Sequence, residues 1–149
     1  MNLDKYPVVA GNSSFVYEFV SEGKKGKVIK FVMYSKTQRE NFYNLGFGDK
    51  NEITGEIDDK IATDNGDRDK VLATVASTLY LFTDNFPDAV IVATGSTRAR
   101  TRLYKISISN HLNLIKPDFE IFGLTSENEL EPFDCKGEYL VFFVRRKKK

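Results

Sequence analysis

The chain holds one cysteine, one histidine and four prolines in 149 residues. Without a second cysteine, Cys135 cannot close an intrachain disulfide, which fits a reducing, cytoplasmic compartment. The lone His111 cannot build a multi-histidine metal centre. With no nucleophile motif near it, it gives no serine triad either, so a packed or surface structural histidine is the expectation. Long apolar runs are also missing, which argues against a membrane span. The beginning, "MNLDKYPVV", lacks the basic flank and apolar stretch of a secretory signal. Neither a GxxxxGK[ST] phosphate loop nor a paired-glycine dinucleotide fingerprint occurs. The acidic "DDKIATDNGDRD" departs from the spacing of a calcium loop and ends without its glutamate. No metal and no cofactor is therefore expected.

What is present is enough for a core. Hydrophobic residues make up 41% of the chain and include 12 phenylalanines, while 29% is charged. That balance predicts one compact domain over residues 1–149, with flexible N-terminal residues and a solvated basic tail at 145–149, "RRKKK". The formal net charge of +1 conceals two opposed segments. Residues 49–69 hold eight acids against three bases, whereas Arg98, Arg100, Arg102, Lys105 and Lys116 stand unopposed in residues 94–117. Such separation suits either an acidic loop resting on a basic helix or a cationic surface awaiting a partner.

Alternating aromatic and aliphatic residues predict strands in "SSFVYEFVS" and "VIKFVMY". The turn-rich "EGKKGK" joins them as a hairpin with a loop somewhat longer than two residues. A third strand is expected in "ENFYNLGFGD", followed by a loop or a short strand and turn. Residues 68–86 carry the clearest helical period: Val71, Leu72, Val75, Leu79, Phe82 and Phe86 fall within an arc of about 100 degrees. Asp67 is placed to cap this helix and Pro87 to stop it. The β-branched "AVIVATG" predicts a central strand. Ser96 to His111 then reads as a second helix because it is long for a strand, although Tyr104, Ile106 and Ile108 also alternate. Its packing face is expected at Ala99, Leu103 and Ile106, with Tyr104 and Ile108 on a second face. Strands at 119–124 and 138–146 complete the order β-β-β-α-β-α-β-β. The expected fold is α+β: a single domain with a twisted, mainly antiparallel sheet and about two helices on one face.

The stretch "GSTRARTRLYKISISN" concentrates the chemistry. On a helix, Arg98, Arg102 and Lys105 share one stripe, while Arg100 points elsewhere. Gly95 permits a close backbone approach, and Ser96 or Thr97 can cap the helix. The first amides and Arg98 could then hold an anion. The plainer reading of Gly95, Ser96 and Thr97 is a turn and cap, and that of Arg98 and Arg102 a solvated face. Gly95, Ser96, Thr97, Arg98, Arg102 and Lys105 are the candidate anion or partner site, and no catalytic residue is nominated.

"GSTRARTRLY", the later "FEIFGL" and the ending "PFDCKGEYLVFFVRRKK" resemble a family of bacterial proteins of roughly this full length, common in Bacteroidetes. The matching positions are Gly95, Ser96, Thr97, Arg98, Arg102, Leu103 and Tyr104, then Phe122, Gly123, Phe133, Gly137 and Tyr139. The resemblance implies a single-domain bacterial protein and brings no catalytic or binding residue with it. Two function classes remain open. One is a small interaction or regulatory protein whose cationic helix meets a protein, a nucleic acid or another polyanion, with a small anion as a further possible ligand. The alternative is a small phosphate-ligand enzyme using Gly95 to Arg102 with an acid from another strand.

Overall fold

The computed structural model describes residues 4–11, 15–50, 53–54, 57–58, 65–95 and 97–148. Along the chain run β1 (Val9–Ala10), β2 (Val16–Gly23), β3 (Gly26–Lys36), β4 (Phe42–Lys50), β5 (Ile57–Asp58), α1 (Arg68–Asn85), β6 (Val90–Ala93), α2 (Arg98–Ile115), β7 (Phe119–Leu124), β8 (Leu130–Pro132) and β9 (Val141–Arg146). The strands form one sheet in the order β1-β2-β3-β4-β6-β9-β7-β8, with β5 paired to β4. Only β4 and β6 are parallel among the described pairs, since α1 carries the chain back between them. The fold is α+β, a mainly antiparallel sheet with two helices packed against it. To the expected order it adds the short strands β1, β5 and β8. No described helix is long and apolar enough to cross a membrane.

The period of two in the first strands sets the core face. Tyr17, Val32 and Phe47 are neighbours across β2, β3 and β4, and all three are buried. Against this face lies α1, whose expected apolar residues Val71, Leu72, Val75, Leu79 and Phe82 are buried, with Phe86 partly so. Phe82 has no exposed surface. Its ring stacks on Tyr34 at 4.1 Å, meets Tyr43 edge-on at 5.0 Å and lies 4.9 Å from Phe86. The helix is also buried where it is polar. Thr74, Ser77, Thr78 and Thr83 turn their hydroxyls back onto carbonyls of α1 itself at 2.6 to 2.7 Å, so burial leaves these hydroxyls paired.

Three expectations need correction. The β2–β3 hairpin closes on two residues, Lys24 and Lys25, because Gly23 pairs directly with Gly26 and Gly26 takes a φ of 84°. Buried Asn65 reads this turn: its Oδ1 accepts from Lys25 N–H at 2.6 Å and its Nδ2 donates to Gly26 C=O at 2.8 Å. Asp67 stands at the start of α1 but makes no side-chain cap. Its carboxylate instead accepts the Tyr6 and Ser21 hydroxyls, each at 2.5 Å, pinning the N-terminal stretch at buried Tyr6. The basic end also differs from a solvated tail beginning at 145. Arg145 and Arg146 belong to β9; Arg145 pairs with Glu120 at 3.0 Å, and Arg146 packs over the rings of Tyr80 and Phe119 while bonding Thr83 and Asp84. Delocalised guanidinium groups lie flat on aromatic faces, which a count of charges does not register.

Replacing Phe82 by alanine should cost about 3 to 5 kcal/mol in a denaturant-unfolding measurement, because its cavity opens among rings fixed on both elements. A loss under about 1 kcal/mol would show that the cluster collapses around the gap. A second expectation concerns alkaline pH. Burial raises the phenol pKa of Tyr6, Tyr17, Tyr34 and Tyr139, and burial with the hydrogen bond to Asp118 raises that of Tyr80 to about 12. The native state thus keeps protons that an unfolded phenol loses near pH ~10. This contribution to stability is complete below that pH and disappears as pH rises through the folded values, for Tyr80 towards about 12. At a pH of roughly 11, phenolate absorbance should rise sharply when denaturant is added; equal absorbance before and after would refute the assignment.

Candidate functional site

Helix α2 begins where β6 ends, and the GST turn makes that junction. A Cβ on Gly95 would lie 2.3 Å from Arg100 Cβ and 2.5 Å from Thr101 N, so only glycine lets the turn press onto the first turn of the helix. Its N–H donates to Thr101 Oγ1 at 3.0 Å. Thr97 is the N-cap, its hydroxyl oxygen accepting from Arg100 N–H at 3.2 Å. Ser96 lies outside the described residues. Turn and cap therefore account for Gly95 and Thr97 in the present structure.

The helix then presents a different face from the expected one. Arg100, Tyr104, Ser107, Ile108, His111 and Ile115 are buried, at spacings of three and four, while Ala99 is exposed and Leu103 and Ile106 are half-buried. The true packing face is rotated by roughly 120 degrees from Ala99, Leu103 and Ile106. Tyr104 and Ile108, expected on a second face, belong to it, Tyr104 near its centre and Ile108 at its edge. Polar members of the face enter the core because distant carbonyls receive them. Tyr104 donates to Leu45 C=O at 3.3 Å and Ser107 to Leu72 C=O at 3.5 Å, while His111 Nδ1 lies 2.8 Å from Ser107 O. His111 is thus a packed structural histidine.

The rotation divides the cations. Arg98 and Arg102 are exposed one turn apart, with no ion pair among the described residues. Lys105 is partly covered and faces Glu138 at 3.7 Å. Arg100, set apart from the stripe on helical geometry, goes inward with only 8% of its surface exposed. Its guanidinium carbon lies 4.5 Å from the centre of the Phe47 ring, and Nη2 donates to Phe47 C=O. Nη1 is buried and has no hydrogen-bond partner among the described residues.

Arginine cannot shed its proton, so this charge stays in the interior. Two residues along the same face of β4, Asp49 forms a buried ion pair with Lys30 at 2.6 Å. Asp49 is the only buried carboxylate among the described residues, set against the two buried cations Lys30 and Arg100. The first turn of α2 contains no acid, and the partial positive charge of a helix N-terminus adds to the same excess. An acceptor oxygen reaching Nη1 would supply both a missing hydrogen bond and missing negative charge. Sequence reasoning missed Arg100 because its partner, the Phe47 carbonyl, is 53 residues away. Half of the acidic stretch weighed for calcium, residues 59–64, lies outside the described residues.

No curated protein and no solved structure matches this chain. A family model does match, over nearly the full length that the resemblance implied, and it carries no activity that could be assigned to Arg100 or its neighbours. On that match, which spans residues 2–147, the chain belongs to the family of unknown function DUF6934.

Proposed function

We propose that the protein is a small binding module that recognises an anionic group of a partner, a carboxylate or a phosphate, at the start of α2. One observation carries the reading: the buried Arg100 guanidinium leaves Nη1 without an acceptor among the described residues. Burying a charge without full pairing costs several kcal/mol in ordinary circumstances, and a site whose ligand brings the acceptor accounts for keeping it. Arg98 and Arg102, exposed on the opposite side of α2 roughly 160 degrees round from Arg100, supply a separate outer contact with a polyanionic protein or nucleic acid. Access to Nη1 requires a local opening, since the atom has no exposed surface here. The resemblance of "GSTRARTRLY" and the single cysteine support a bacterial, cytoplasmic setting for such a module. The enzyme alternative has less support, because Asp49, the acid buried on the same sheet face, is held by Lys30.

Calorimetric titration of the full chain with inorganic phosphate, a glutamate hexapeptide and a short single-stranded oligonucleotide tests the proposal. Saturable binding that weakens with salt is expected for at least one of them. Arg98→Ala with Arg102→Ala should weaken binding of the two polyanions several-fold, at about 0.2 to 1 kcal/mol per exposed charge. Arg100→Met should abolish binding of every probe while keeping stability within about 1 kcal/mol of the parent, because methionine removes the unpaired charge and fills much of the same space. Absence of binding to all three probes overturns the reading. So does an Arg100→Met protein that binds as well as the parent.

A further inference from the structure

Both helices lie on one side of the sheet: Phe82 of α1 stacks on Tyr34, Arg100 of α2 covers the Phe47 ring, and Tyr34 and Phe47 share a face of β3 and β4. The alternate residues of each strand point the other way. An antiparallel sheet wetted on one side places polar residues there. Here the outward residues of the central strands are apolar: Phe31 and Met33 on β3, Val92 on β6, Phe143 on β9, and Phe122 and Leu124 on β7. Val92, Phe143 and Phe122 are direct neighbours across three strands. All six side chains are half-buried and stand apart from the core cluster. In β6 and β9, "VIVA" and "VFFV" are continuous apolar runs, the pattern of strands covered on both sides.

The charges on this outward face come in pairs. Across the strands β2, β3, β4, β6, β9 and β7, Glu22 lies 3.7 Å from Lys27, Glu18 4.0 Å from Lys50, and Glu120 3.0 Å from Arg145. The face is therefore electrically neutral, unlike the start of α2. Gly46, opposite Met33, leaves a notch in it, since a Cβ at that position would meet nothing within 4 Å.

We propose that the outward face is the interface of a two-fold homodimer, with the same face of a second copy of the chain laid across it. The occupant must be apolar, because the surface is apolar and its ions are already paired with one another. It must also be broad. At ~3.3 Å per residue and ~4.8 Å between strands, six strands averaging about seven residues tile roughly 700 Å², close to the ~800 Å² per partner of a stable interface. A second copy meets both conditions and brings no unpaired charge. Two sheets of the same twist also stack face to face, with their strands within about 30 degrees of each other. The interface lies across the sheet from α2 and does not depend on Arg100 binding an anion.

Analytical ultracentrifugation of the full-length chain tests the proposal. At micromolar concentration the parent should sediment as a dimer. Gly46→Glu places a carboxylate in the notch, where the backbone has room for a Cβ, and should raise the dissociation constant about a hundredfold or more because that charge is desolvated without a partner. Leu81→Glu, at an exposed position of α1, should leave the dimer intact. Circular dichroism establishes that both variants are folded. Without any variant, filtered NOE spectra of mixed labelled and unlabelled parent should show contacts between copies from the methyl groups of Met33 and Leu124. A parent that stays monomeric up to millimolar concentration overturns the proposal, and so does flotation of that monomer with phosphatidylcholine vesicles, since a lipid surface would then be the occupant. Unchanged dimerisation of folded Gly46→Glu, or contacts between copies only from other methyl groups, also overturns it, because the copies would then meet elsewhere.

Discussion

Phe82 joins the two layers of this protein. Stacked on Tyr34 and wedged between Tyr43 and Phe86, it fixes the height and rotation of α1 over β2, β3 and β4. The placement of the second helix depends on that seat. α1 offers the Leu72 carbonyl to Ser107 of α2, and α2 is held on its other side by Tyr104 reaching Leu45 and by Arg100 reaching Phe47. The rotation of α2 is therefore set by groups on both α1 and β4. Once it is set, Arg100 has no direction except inward.

That dependence explains which parts of the fold could be read from the sequence. α1 was legible because Val71, Leu72, Val75, Leu79 and Phe82 form a continuous apolar arc that is decided within the helix. The strands were legible from alternation, as in Tyr17 and Phe19 against Val16 and Glu18. α2 was legible as a helix but not in its rotation. Hydrophobicity put Ala99, Leu103 and Ile106 inside, whereas the buried face is rich in polar groups whose acceptors come from residues far away in the chain. Two-residue strands such as β1 carry too little pattern to stand out. Asp67 was correctly placed at the start of α1 but misjudged in its partner, because Tyr6 and Ser21 reach it only in the folded chain.

The candidate site shows the same limit. Gly95 and Thr97 behave as the local rules require, one admitting close contact and the other capping. Arg98 and Arg102 stay outside, as their shared stripe implies. The residue with unmet bonding capacity is instead Arg100, which the stripe excluded. Charge counting separates an acidic segment from a basic one and leaves open whether they meet, and Asp49 comes from the former. It neutralises Lys30 from β3 rather than an arginine of α2, which leaves a cationic excess at the start of α2 among the described residues.

We propose that this excess is the recognition feature, with Arg100 Nη1 taking an oxygen from the bound anion. A crystal structure of the full chain grown with selenate tests it most directly, because anomalous scattering locates the oxyanion without prior assumptions. A selenate oxygen is expected at a hydrogen-bonding distance of about 2.7 to 3.2 Å from Arg100 Nη1, with Phe47 C=O still bonded to Nη2. Selenate found only on exposed lysines, with Nη1 unpartnered as before, would contradict it.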